Sequence, residues 1–166
     1  TDRHRVTLSL ETSGLLLIRY SASTWAYGAS PSIRLMPGYG FGKVSVLTGA
    51  EFSGGPMLRP GAASGSADSQ FVINYFPVVP VVIRYNDVNW HYDLELGALG
   101  LFQADQPAWS FGFRAGLGVG LMGLRTRYFI PWAGVAAFYE HYFHDSNRAA
   151  AEFIRGGFRI GVIYDP

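Results

Sequence analysis

The residue types that could do chemistry gather in one short stretch, "EHYFHDSNRAAAE", residues 140–152. It brings Glu140, His141, His144, Asp145, Ser146, Asn147 and Glu152 together just past a run of apolar and aromatic residues. Histidine, serine and carboxylate side chains are the usual carriers of acid–base and nucleophilic chemistry. The same composition also makes a turn, because Asp, Ser and Asn hydrogen-bond readily to nearby backbone. Elsewhere the chemistry thins out. His4 and His91 are isolated, His141 and His144 fall on opposite faces of any strand, and no metal-ligand spacing occurs. There is no cysteine, which excludes a disulfide framework and a thiolate metal site. The glycine-rich "GLGVGLMG" is not followed by a helix, and its alternate glycines lie on one strand face, so it is read as strand lining rather than as a phosphate loop. No cofactor and no metal are expected.

Everything then depends on the elements that hold this stretch, and their period is two. In "WHYDLELGALGLF", 90–102, one parity carries Trp90, Tyr92, Leu94, Leu96, Ala98, Gly100 and Phe102, and the other His91, Asp93, Glu95 and Gly97. Successive side chains of a strand point to opposite faces, so this is a strand with one apolar face. The same test marks strands at 5–20, 25–39, 43–53, 70–85, 109–121, 128–142 and 152–164. Strand seven is the ambiguous one, with aromatics on both parities. Its even set, Tyr128, Ile130, Trp132, Ala136, Phe138, Glu140 and Tyr142, is taken as the apolar face. "SGGPMLRPGAASGSAD", 53–68, reads as a long loop, and "SAST", "PGYGFG", "NDVN" and "GLRTR" as short turns.

Composition decides where the apolar faces point. Hydrophobic residues make up 49% of the 166 and charged residues only 15%, against about 25% in ordinary soluble domains. The polar faces are rich in Gly and Ser and carry few charges, which suits a narrow interior better than a solvated exterior. Aromatics recur near both ends of the apolar faces, as at two membrane–water interfaces. No run of about 18 apolar residues exists to form a spanning helix. The expectation is a single domain, residues 1–166, folded as an eight-stranded antiparallel up-and-down transmembrane β-barrel in a bacterial outer membrane. Glu11, Arg19, Arg34, Lys43, Glu51, Arg84, Asp93, Glu95, Arg114, Arg155 and Arg159 would then face the lumen as a mixed-sign, paired network. The net charge of +1 and the absence of a basic stripe give no reason to expect nucleic acid. The chain begins at Thr1, as after removal of a signal peptide or trimming of its start.

Two resemblances rest on these residues. The terminal "GGFRIGVIYDP" resembles the signal that outer-membrane barrels present to their assembly machinery, though it ends in Asp165-Pro166 after the aromatic. His144-Asp145-Ser146-Asn147 resembles the H-x-S-N signature of the outer-membrane lipid A 3-O-deacylases, and "PVVIRY", "LELGALGLF" and "FGFRAGLGVGL" precede it in a similar order. That resemblance implies Ser146 as nucleophile, His144 as general base and Glu152 as its orienter, acting on lipopolysaccharide at the outer leaflet. Two functions follow as expectations. One is a structural or interaction component of the envelope, with membrane lipid and an envelope protein as partners. The other is a lipid A deacylase.

Overall fold

The structure, a computed structural model, describes residues 4–21, 24–59, 70–104, 106–146 and 149–166. Its strands are β1 His4–Ser21, β2 Thr24–Phe41, β3 Val44–Thr48, β4 Ala50–Arg59, β5 Gln70–Asn86, β6 Trp90–Gln103, β7 Gln106–Met122, β8 Phe129–Tyr142 and β9 Ala151–Tyr164. All pairings are antiparallel, and β9 pairs back onto β1. The nine strands fill eight positions, because β3 and β4 both lie between β2 and β5 in one continuous register. Gly38 faces Leu47 and Leu35 faces Ala50; Val81 faces Thr48 and Val78 faces Glu51. They are one strand interrupted at Gly49, where a Cβ would stand 2.0 Å from the carbonyl oxygen of Leu35.

The register fixes the shape. Following facing residues from Glu11 leads to Arg34, Glu51, Val78, Leu99, Gly112, Tyr142 and Ala151, and back to β1 at Ser21. The circuit therefore closes ten residues further along β1 than it began. For eight positions that stagger tilts the strands by roughly 40° to the barrel axis. The start of β1, the end of β9 and the turns at 42–43, 87–89 and 123–128 form one rim, the terminal rim. The opposite ends of the strands form the other rim, the loop rim.

The expected alternation holds on most strands. Val6, Leu16, Ile33, Val79, Leu96, Phe111, Leu117, Ile154 and Phe158 are exposed on the outer wall, while Glu11, Arg34, Glu51, Arg84, Asp93, Glu95, Arg114, Arg155 and Arg159 are buried inside. Aromatics form a band near each rim. Tyr20 meets Trp25, and Trp109 meets Phe102, at the loop rim; Tyr85 meets Tyr92, and Phe129 meets Tyr164, at the terminal rim.

Three expectations are corrected. On β8 the odd set faces outward: Val135 and Tyr139 are exposed, whereas Trp132, Ala136, Phe138, Glu140 and Tyr142 are buried. The reason is electrostatic, since Glu140 belongs with the interior arginines and carries its parity in with it. Lys43 does not enter the lumen. Gly42, at φ 57°, turns the chain between β2 and β3, and exposed Lys43 pairs across the rim with Asp87 at 3.0 Å. The third strand also continues past residue 53 to Arg59. "GGP" looks like a turn signal but lies within the strand, and the ladder to β2 lapses between Ser32–Ser53 and Gly28–Met57. Pro31 and Pro56 sit in that gap and have no N–H to give. Residues 60–68 of the expected loop, and the Phe71 side chain, lie outside the described residues.

Candidate functional site

Among the described residues, the barrel interior and the loop rim around Glu152 bear on the expected chemistry. The interior is built from cross-strand neighbours. Glu11 faces Arg34, Arg34 faces Glu51, Arg84 faces Asp93 and Arg114 faces Glu140, so four pairs are written directly into the register. Arg84 grips Asp93 with two nitrogens, Nε to Oδ1 at 2.7 Å and Nη2 to Oδ2 at 2.8 Å, and also reaches Glu11 at 2.8 Å. Other contacts cross the lumen. Arg114 Nη1 donates to Glu51 at 2.9 Å and Glu95 at 3.0 Å, and Arg155 pairs with Glu140 at 3.0 Å. Arg159 approaches both Glu51 and Glu95 at 3.5 Å.

Five carboxylates thus meet five guanidiniums, all at most 5% exposed. An isolated buried charge costs several kcal/mol, and mutual pairing with good geometry is what offsets that cost. Interior aromatics add to it. The guanidiniums of Arg114 and Arg159 lie 4.7 and 4.5 Å from the Phe138 ring centroid, and that of Arg84 lies 5.3 Å from Trp132. The glycines of "GLGVGLMG" make room for these rings and for His91. A Cβ on Gly116 would come within 2.1 Å of Phe138, and one on Gly120 within 2.3 Å of His91.

Toward the loop rim the interior changes character. Leu17, Met57, Phe76, Leu99, Leu101 and Phe153 are buried there in one apolar cluster with Tyr142. Phe76 meets Phe153 edge-on at 5.6 Å, and Tyr142 meets Phe153 at 5.2 Å. Arg155 joins the two layers, its guanidinium 4.0 Å from the Phe76 ring centroid. Toward the terminal rim lies a vestibule of about 320 Å³ of mixed lining, with Arg5, Lys43, Arg84 and Asp165 beside Leu47, Ile130 and Ile163.

On the outer wall Glu152 opens β9, facing His141 of β8 on one side and Tyr20 of β1 on the other. Its carboxylate accepts a hydrogen bond from Tyr139 Oη at 3.1 Å, and His141 Nδ1 stands 3.9 Å away. Glu152 therefore points outward, on the parity of Ile154 and Phe158. His144 and Ser146 are exposed in the connection after β8, and Ser110 Oγ donates to Asp145 Oδ2 at 3.2 Å. Asn147 lies outside the described residues. Sequence reasoning missed His141 and Tyr139 as the neighbours of Glu152. The available signal was Glu140: once its charge turns the even parity inward, Tyr139 and His141 must share the outer face.

An apolar wall outside a charged interior, closed over eight strand positions, defines a transmembrane β-barrel of the outer-membrane kind. Solved structures carry the same fold. The chain is similar to Neisserial surface protein A, with a TM-score of 0.54 and 15% identity over 95% of this chain and 96% of that one. It is also similar to Ail, the attachment invasion locus protein of Yersinia pestis, with a TM-score of 0.50 and 12% identity over 98% and 99%. Identities this low establish the fold alone. No protein-family model matches the sequence, and no curated protein matches it. The deacylase resemblance gains no support from these neighbours.

Proposed function

We propose that this chain is an integral outer-membrane protein with a side-chain-filled lumen, serving the bacterial envelope as a structural or interaction component rather than as a channel or an enzyme. The observation that carries the reading is the interior itself: a balanced charge network lies beneath an apolar cluster, in a barrel size whose own side chains fill it. Its surfaces for partners are the lipid-facing wall and the loop rim. The alternative, a lipid A deacylase using Ser146, His144 and Glu152, is carried less well, because the contacts at the Glu152 carboxylate are from Tyr139 and His141.

Mass spectrometry of lipid A separates the two. Cells expressing the wild type and Ser146→Ala should give identical lipid A spectra. A wild-type spectrum lacking one acyl chain that Ser146→Ala retains would overturn the structural reading in favour of the hydrolase.

A further inference from the structure

The outer wall is not evenly convex. A trough of about 760 Å³ crosses it from β7 to β1. Ala50, Pro77, Ala98 and Gly100 give it a floor of small or flat residues, and larger side chains such as Leu35, Phe52 and Phe111 bank it. Its depth depends on Gly100, which is buried although its strand parity faces outward. A Cβ there would stand 3.2 Å from both Pro77 Cγ and Trp109 Cζ3, so the indole ring lies over the bare backbone.

The trough follows the facing residues Ile33–Phe52–Pro77 and Leu35–Ala50 across the sheet. It therefore runs perpendicular to strands tilted by roughly 40°, and slants through the wall. Trp109 holds its upper end in the aromatic band of the loop rim, beside Phe102, which in turn meets Tyr75. Leu10, midway along β1, holds the lower end. Five strand spacings of about 4.8 Å give a path of about 24 Å. A line at that slant descends about 15 Å along such a path, the hydrocarbon depth of one leaflet.

We propose that this trough holds one acyl chain of a lipid from the leaflet at the loop rim; this rests on the membrane reading above. Its outward-facing lining is apolar apart from the indole N–H of Trp109, at the end where a headgroup would lie. Arg34 and Glu51 border it from within, their charged ends tied into the interior network. The occupant thus offers hydrocarbon along its length and polarity at one end only. A second copy of the barrel is the wrong shape, because its convex wall cannot follow a concave trough that a flexible chain fills.

The test uses phosphatidylcholine vesicles doped with a phosphatidylethanolamine carrying a diazirine on one acyl chain. Photolysis should label the peptides around Phe52 and Phe111 about tenfold more than the far wall around Ile154 and Ile160. Ala98→Phe and Ala50→Phe, which fill the floor from the outside, should bring the two regions to parity, and Ile160→Phe should change nothing. Even labelling of the wild type, or labelling indifferent to both filling variants, would overturn the proposal. So would a wild-type dimer, seen by light scattering in detergent, that the filling variants dissociate. Flotation of the same vesicles is scored separately, and a chain that fails to float takes down the membrane reading and the trough with it.

Discussion

The two halves of the interior solve the same packing problem with opposite chemistry. Toward the loop rim, Phe76, Tyr142 and Phe153 fill the barrel as an ordinary core would, with Phe153 in edge contact with the other two rings. Below them, Arg34, Arg84, Arg114, Arg155 and Arg159 fill it with long side chains whose charges must all be answered. The apolar layer tolerates small errors better, because a lost methylene and the small cavity it leaves cost about 0.5–1.5 kcal/mol. The charged layer does not, because each carboxylate serves several guanidiniums at once. The layers should therefore fail differently.

The largest effect is expected in the charged layer. Glu140→Leu leaves fully buried Arg155 without a carboxylate and takes one of the three from Arg114, and should destabilise the barrel by about 3–5 kcal/mol. Urea unfolding in lipid vesicles, followed by tryptophan fluorescence, measures it. A variant as stable as the wild type would mean that the network is not needed for the fold.

Next comes the orientation of β8, which assigns Phe138, Glu140 and Tyr142 to the interior. Val135→Arg places a charge on the outer wall and should cost about 2–4 kcal/mol if it lies near the bilayer midplane. A loss well below that range would contradict the outward placement of Val135. In the apolar layer Phe76→Leu keeps the site hydrophobic and should cost less, about 1–2 kcal/mol in the same unfolding measurement. A loss as large as that of Glu140→Leu would erase the distinction between the layers.

The smallest effect lies outside both. The Lys43 ammonium donates to Asp87, and with the Val88 backbone N–H it holds that carboxyl below its ordinary range. A carboxyl lowered in the folded state adds stability above the ordinary aspartate range, and that stability is lost as pH falls through the folded value. Both groups are solvent-exposed, so Asp87→Asn should leave the unfolding midpoint at neutral pH unchanged within error and flatten its acid slope only slightly. A marked neutral-pH loss would show that the turns, and not the interior, hold this rim together.

What could be read from the sequence follows the same division. Strands such as 90–102 and 109–121 declared both their existence and their orientation, because one parity was apolar and the other charged or glycine. Strand β8 hid its orientation, because arginines on other strands recruit its aromatics inward as cation–π partners, and single-strand parity does not reveal partners elsewhere. Gly54-Gly55-Pro56 misled for a related reason: glycine and proline mark turns locally, yet here they mark a gap in a ladder. At the loop rim Glu152 was legible as outward. Its neighbours Tyr139 and His141 were not, since their face depended on the hidden parity of β8.

The central claim, a membrane barrel closed by its own side chains, is tested most directly by single-channel recording in planar bilayers. The purified wild-type protein, shown to insert, should produce no discrete conductance at neutral pH and moderate salt. Reproducible ohmic openings from the inserted monomer would contradict the account, because ions could then cross both the charged layer and the Phe76–Phe153 layer above it.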